Sequence, residues 1–248
     1  MSALIIAHRG ESYDAPENTL ASINLAWERG AEAVEIDVHL SKDNQVVVIH
    51  DPNTLRVSGI KKKIKNSTVA DLKKLDVGSW KSAEFKNEKI PTLKEVLATV
   101  SQSKKLIIEI KSEFKILNFL RNDIENSCLT SDQIEIISFD FSTVKEAKKI
   151  FPKNKILYLA DLDYTWYTKL LSPSVEKLIQ MCKHANLEGL NVWAGNLLTK
   201  TFVYKVRNSN LLLYTWTVDD SENAETLQSW GIDGITTNRA NWLKNKIR

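Results

Sequence analysis

Two histidines stand where apolar stretches give way to polar ones, each beside a charged residue. They are His8 in Ala7-His8-Arg9-Gly10 and His50 in His50-Asp51. Between them lies Glu35-Ile36-Asp37, and further on Glu109-Ile110-Lys111. The chain has only four histidines in 248 residues, so two at such positions stand out. Imidazole takes and gives protons near neutrality. Arg9, Lys111 or a cation held by the acids can hold a negative group. Proton donors and acceptors beside fixed positive charge are what phosphate-ester cleavage requires.

Alternation along an extended strand puts Glu35 and Asp37 on one face, and Val34, Ile36 and Val38 on the other. Glu109 and Lys111 repeat the pattern, with Ile108 and Ile110 opposite. In a barrel the apolar set packs under helices, so the acids point inward. Three inward carboxylates repel severely in a dry interior, and Lys111 neutralises only part of that charge. A divalent cation resolves the rest, and all-oxygen ligation favours a hard ion, Mg²⁺ or Ca²⁺. The competing reading is an acid–lysine network that buttresses the barrel floor. His8 shares the alternate face of Leu4 and Ile6. Beside it, Arg9 can grip phosphate in bidentate fashion, and Gly10 lets the backbone turn closely around a ligand. His39, and His184 in a late helix, both read as structural.

The elements that must position these groups are short β-branched runs with amphipathic segments between them. Strands are expected at residues 4–7, 33–38, 46–50, 106–111, 134–139, 156–159, 189–192, 212–217 and 234–237. Helices are expected at 17–29, 93–101, 114–127, 142–150, 175–185, 199–208, 222–230 and 239–246. In the first helix Leu20, Ile23 and Trp27 share a face, Pro16 marks the start and Gly30 the end. The alternation argues for a parallel sheet.

Nine strands are one more than a TIM (β/α)8 barrel holds. Only five polar residues, 41–45, separate the extended stretch Val38–Leu40 from Val46, too few for a parallel crossover, so the second and third strands form an antiparallel hairpin. With its turn centred between Asp43 and Asn44, Asp37 falls opposite His50, which sets that histidine beside the acids. Removing the outer arm leaves eight strands. The expected fold is therefore an α/β TIM (β/α)8 barrel, with a small insertion after the second barrel strand and its hairpin. The insertion spans residues 51–91 and holds the run Lys61-Lys62-Lys63-Ile64-Lys65, then Leu72, Leu75, Trp80 and Phe85, which could fold back as a small cap. It reads as a lid or substrate wall, and the basic run as solvated loop. With no internal repeat or low-complexity linker, residues 1–248 read as one domain.

A length of 248 residues matches the roughly 250 typical of such a barrel. At 43% hydrophobic and 26% charged, the chain can bury a substantial core. A net charge of +3 argues against a nucleic-acid partner and suits modest attraction of an anionic substrate. No run approaches the roughly 18 apolar residues of a membrane helix, and the first apolar stretch, 3–7, is too short for a signal-peptide core. Cys128 and Cys182 make neither a disulfide framework nor a zinc motif, so a reduced, cytoplasmic protein is expected.

The motifs resemble those of the glycerophosphodiester phosphodiesterase family, a TIM-barrel group related in architecture to phosphatidylinositol-specific phospholipases C. The matching pieces are His8-Arg9-Gly10, Ala15-Pro16-Glu17-Asn18-Thr19, Glu35-Ile36-Asp37-Val38, His50-Asp51, Ile90-Pro91-Thr92-Leu93, Glu109-Ile110-Lys111, Trp216-Thr217-Val218 and Asp233-Gly234-Ile235. They occur in family order across nearly the whole chain. The resemblance implies His8 and His50 as the acid/base pair, Glu35, Asp37 and Glu109 as ligands of a divalent cation, and Arg9 and Lys111 as phosphate contacts. It further implies that Glu17 and Asn18 order the loop behind His8, with Asn18 touching the substrate, and that Trp216 forms an apolar wall for the glycerol moiety. There are two departures. Asp219 stands where asparagine is common, and Thr237-Asn238-Arg239-Ala240 replaces the more usual Thr-Asp-X-Pro.

The activity so implied is hydrolysis of a glycerophosphodiester, such as glycerophosphocholine or glycerophosphoethanolamine, to sn-glycerol 3-phosphate and an alcohol, in lipid and glycerol metabolism. The glycerol 2-hydroxyl, its pKa lowered by the cation, would attack phosphorus while one histidine takes its proton and the other protonates the departing alcohol. Water would then open the cyclic phosphate. Alternatives on the same barrel are direct attack by water, a lyase that stops at the cyclic phosphate, and an enzyme acting on lysophospholipids. A non-catalytic phosphodiester-binding barrel is the rival from a different class, and a missing histidine or acid would have favoured it.

Overall fold

The computed structural model describes residues 2–112, 114–162 and 173–247. Its strands are β1 Leu4–His8, β2 Ala33–Leu40, β3 Val46–Val48, β4 Lys105–Ile110, β5 Ile134–Ser138, β6 Lys155–Ala160, β7 Gly189–Trp193, β8 Leu212–Trp216 and β9 Gly234–Thr237. All but β3 form a parallel ring, closed where β1 pairs with both β2 and β9. The helices Leu20–Glu28, Leu93–Leu97, Leu117–Glu125, Phe141–Ile150, Val175–His184, Lys200–Arg207, Ser221–Ser229 and Ala240–Lys246 each follow one barrel strand. This is the TIM barrel with its extra strand outside the ring. None of its helices among the described residues is long and apolar enough to cross a membrane.

The first helix begins later than expected. Its cap is Thr19, whose hydroxyl accepts from the Ser22 amide while Ser22 accepts from the Thr19 amide, so the start lies beyond Pro16. The helix after the insertion ends at Leu97 instead of running on to 101.

Alternation sorts each barrel strand into an outer and an inner set. Val34, Ile36, Val38, Ile108 and Ile110 join Ile23, Val144 and Val203 of the helices in the outer core. Inside, Ile6, Ala33, Ile107, Ile137, Leu157 and Tyr214 fill the middle of the ring. An acid–lysine network does brace the floor, at the amino ends of the strands. It consists of Glu135 with Lys105 and Lys155, at 3.3 and 3.7 Å, and does not involve Glu35, Asp37 or Glu109.

The hairpin register differs from the expected one by a residue. β2 and β3 pair Val38 with Val48 and His39 with Val47, so Ile49 faces Asp37 and donates its amide to the Asp37 carbonyl at 2.9 Å. The cause is an odd-numbered turn. Lys42, Asp43 and Asn44 lie between Ser41 and Gln45, with Asn44 left-handed at φ +58°, a conformation asparagine tolerates. A slip of one residue normally turns a side chain to the other face. His50 still reaches the mouth because β3 stops at Val48 and the chain bends there.

The segment 51–91 carries short helical turns at Leu55–Ser58 and Val69–Leu72. Val57, Ile64, Leu72, Leu75 and Ile90 bury themselves against Val47 and Ile49, so the segment is a folded cap seated on the outer arm. Trp80 stays outside that core, 45% exposed. The cap is also pinned to the loop after β1. Lys81 Nζ donates to the Ser12 carbonyl at 2.8 Å, and Arg56 donates to both Glu17 oxygens at 2.7 and 2.9 Å.

Candidate active site

At the carboxyl ends of the strands lies a cavity of ≈ 220 Å³. His8 and Arg9 come to it from β1, Glu35 from β2, His50 from beyond β3, Glu109 and Lys111 from β4, and Trp216 from β8. Ile137, Phe139, Leu159 and Asn191 line the same space. Eight parallel strands ending at one rim bring such distant residues together. A larger open groove, ≈ 600 Å³, runs along the flank past Leu40, Phe119 and Ile150, but it offers no histidine and no cluster of acids.

The acids meet as alternation requires. Asp37 and Glu109 are register partners across β2 and β4, with Glu35 two residues before Asp37. One oxygen of each acid lies within 4.8 Å of the others, and the three side chains are buried. Glu35 Oε1 has no hydrogen-bond partner. Lys111 Nζ sits 2.5 Å from Glu109 Oε1 and 3.3 Å from Asp37 Oδ1. Oxygens that each bind one hard cation at about 2.3–2.6 Å stand at comparable mutual separations, so the cluster is compatible with a divalent metal site.

The electrostatics point the same way. Burial, then the neighbouring Asp37 charge, raises the Glu35 carboxyl well above the ordinary range and pushes Glu109 up to about 7. Burial works against Asp37 too, but Arg9 and Lys111 beside it hold its carboxyl down to about 2. A bound divalent cation opposes the two upward shifts.

β1 ends at His8 and the chain turns through Arg9 and Gly10, left-handed at φ +56° and +83°. Three hydrogen bonds hold Arg9 in that conformation. Its amide donates to Glu35 Oε2 at 3.1 Å, and its carbonyl accepts from the Asn18 amide at 3.0 Å and the Ser22 hydroxyl at 2.9 Å. Its guanidinium lies 2.9 Å from Glu17 and 3.0 Å from Asp37. Gly10 leaves no room for a side chain, because a Cβ there would meet the Ser22 carbonyl carbon at 2.5 Å. Gly10→Ala is therefore expected to lower the urea midpoint, by about 2–5 kcal/mol in unfolding free energy from backbone strain and overpacking together. An unchanged midpoint would show that this turn is not under the steric constraint described.

His8 Nδ1 lies 2.7 Å from Asn238 Oδ1, and Nε2 3.9 Å from Glu35 Oε2. Burial, then the Arg9 charge, lowers its pKa to about 4, so the ring is neutral near neutral pH. His50 Nδ1 lies 2.7 Å from Asp51 Oδ1, and Asp51 also accepts from Arg56 Nε at 2.9 Å. Despite burial, the hydrogen bonds from Arg56 and His50 hold the Asp51 carboxyl at about 2. His39 does not line the cavity, although alternation puts it on the face of Glu35 and Asp37; it braces the backbone of His50 instead. Its Nε2 donates to the His50 carbonyl at 3.0 Å, and Nδ1 accepts from the Ser112 hydroxyl at 3.2 Å. His184 is exposed at the end of its helix.

Asn18 departs from expectation. It does not line the cavity; its carboxamide donates to Asp37 Oδ2 at 2.8 Å and accepts from the Asp37 amide at 3.1 Å. Its left-handed backbone, φ +57°, accompanies this turn back onto β2. Phe139 and Asn191 were not anticipated. Phe139 packs edge to face on Trp216 at 5.6 Å, with Lys111 Nζ 5.6 Å from its centroid. Asn191 is 2% exposed, with an unpartnered Oδ1. The signal for both was the inward alternate position, occupied by an asparagine between Leu190 and Val192 and by a phenylalanine two residues after Ile137. Arg56 and the pairing of Asn238 with His8 left no such local signal.

A ring of eight parallel strands with buried acids and two histidines at its mouth defines a barrel suited to phosphoester chemistry. Residues 8–241 match the glycerophosphoryl diester phosphodiesterase family. A glycerophosphodiester phosphodiesterase of Caldanaerobacter subterraneus subsp. tengcongensis is 32% identical, over 100% of this chain and 99% of its own. One from Bacillus subtilis is 28% identical over 95% and 83%. Among solved structures, an Oleispira antarctica phosphodiesterase in complex with the product sn-glycerol-3-phosphate superposes with a TM-score of 0.88 at 27% identity, covering 99% of this chain and 97% of that one. A Thermotoga maritima glycerophosphodiester phosphodiesterase gives 0.81 at 30%, covering 100% and 99%. The chain belongs to the glycerophosphoryl diester phosphodiesterase family.

Proposed function

We propose that this chain hydrolyses glycerophosphodiesters to sn-glycerol 3-phosphate and an alcohol, with His8 and His50 as acid and base. The enzyme class, glycerophosphodiester phosphodiesterase, follows from the family. The observation that carries the mechanism is the meeting of Glu35, Glu109, His8, His50 and Lys111 at one cavity. That the Oleispira antarctica neighbour holds sn-glycerol 3-phosphate supports the same product here.

Glu35, Asp37 and Glu109 would hold Mg²⁺ or Ca²⁺. Such an ion, when bound, supplies Lewis-acid polarisation of the phosphate and lowers the pKa of an attacking hydroxyl. Arg9 and Lys111 bind and orient the phosphate from the acids' side, and Trp216 offers the apolar ring for glycerol. One histidine removes the proton of the attacking oxygen, from the glycerol 2-hydroxyl or from water, and the other gives a proton to the departing alcohol. Asn18 contributes by fixing the rotamer of Asp37. The reading takes residues 1–248 as one barrel domain with 51–91 as its cap, and the unpaired thiols of Cys128 and Cys182 support a cytoplasmic setting.

A panel of deacylated phospholipids, each with Mg²⁺ and with Ca²⁺, tests the proposal. Phosphorus NMR is expected to show sn-glycerol 3-phosphate accumulating from at least one diester. A cyclic phosphate that persists would replace hydrolysis by the lyase reading, and turnover of lysophospholipids alone would reassign the substrate. No turnover with either ion would reject the activity.

A further inference from the structure

We infer that Asn238 and Asp219 are positioning residues, a directed hydrogen-bonded pair that sets the tautomer of His8. The inference rests on His8 acting as acid or base, as proposed above. The directions of the bonds leave no choice. An ionised aspartate only accepts. Asp219 Oδ1 takes the Asn238 amide and the Thr237 hydroxyl, each at 2.8 Å, and Oδ2 takes Asn238 Nδ2 at 2.6 Å. The carboxamide nitrogen of Asn238 is thus committed to Asp219, and its oxygen turns inward. There it accepts from the Ser12 hydroxyl at 3.0 Å and meets His8 Nδ1 at 2.7 Å. A carbonyl oxygen cannot donate, so Nδ1 carries the hydrogen. Nε2 is left with its lone pair, on a ring that lines the cavity. Asn238 and Asp219 do not line the cavity themselves, so they act through His8.

Exchanging the pair, Asp219→Asn together with Asn238→Asp, offers the same donors and acceptors in the opposite order. The exchange keeps the charge of the pair, and in either order the residue at 238 can accept from His8 while bonded to the residue at 219. That symmetry supplies the test.

Asp219→Asn, Asn238→Asp and the double exchange are compared in the Mg²⁺-loaded enzyme with glycerophosphocholine, or with the best diester of the panel. Asp219→Asn puts an amide nitrogen where an acceptor is needed, and Asn238→Asp sets two carboxylates against each other. Each single change is expected to lower kcat roughly 10- to 100-fold, the usual cost of losing an outer partner of a site histidine. KM should move by less than about twofold, and the double variant should recover to within about threefold of wild type.

Nitrogen-15 NMR of histidine-labelled protein, with His8 identified by its loss in His8→Ala, reads the tautomer without any turnover. The Nδ1–H form is expected in the wild type and the double variant, and a mixture in Asp219→Asn. Single variants with wild-type kcat, losses that multiply in the double variant, or an Nε2–H His8 in the wild type would each overturn the inference. Should Asn238→Asp fail to fold, Asp219→Asn and the double variant still decide it. A wild type inactive on every diester sinks the substrate reading, and the tautomer spectrum still decides this one.

Discussion

Alanine at His8 or at His50 is expected to lower kcat by about 10²–10⁴-fold, the range that general acid–base catalysis contributes, with KM changing far less. Each ring has its Nδ1 occupied, by Asn238 Oδ1 and by Asp51 Oδ1, both at 2.7 Å, so each has Nε2 free for chemistry. Arg9 and Lys111 are the other basic nitrogen groups lining the cavity, and both stay protonated at neutral pH, so neither can take over a base's role. Because the two rings serve one proton cycle, removing both should cost little more than removing one. Steady-state kinetics with circular dichroism as the folding control make the measurement. Wild-type turnover in a folded His8→Ala or His50→Ala would take that histidine out of the reaction.

The second large effect concerns the acids. Chelation is expected to abolish turnover, and Mg²⁺ or Ca²⁺ to restore it. The same ion should raise Tm, because a ligand present at 100 times its Kd adds about 2.7 kcal/mol of stability. Glu109→Gln separates a ligand from a brace. It removes a like charge from beside Asp37 while Lys111 keeps Asp37 as a partner, so the chelated protein should be at least as stable as wild type. It should also lose the ion-dependent rise in Tm and about 10²-fold or more in turnover, in line with the cost of removing a transition-state charge stabiliser. Thermal melts with and without the ion decide the matter. A variant that is less stable yet keeps both the ion response and the turnover would make Glu109 a structural partner of Lys111.

Much of this site was legible before folding because the relevant rule is local. Glu35 and Asp37 had to share a face, and so did Glu109 and Lys111, since successive side chains alternate along any strand. Their apolar neighbours Ile36 and Ile108 had to point to the helices. The hairpin was legible from five polar residues between two strands, but its register was not. Whether the turn holds two or three residues hangs on one left-handed asparagine, Asn44, and that choice moved Ile49 to face Asp37 where His50 was expected. Asn18 was misplaced for a similar reason. Its motif marks a loop near His8, but a left-handed backbone and a buried acid within reach turned the carboxamide onto Asp37.

The sequence alone determined which groups are available and which way they face: two histidines at strand ends, three acids on inner faces, and a lysine and an arginine beside them. Tertiary structure decided who pairs with whom. The bond between His8 and Asn238 spans 230 positions in the chain and exists only because β9 closes the ring onto β1. No local periodicity encodes that contact. Side-chain direction follows from the geometry of a single strand, whereas hydrogen-bond partnership depends on where separate strands end relative to one another.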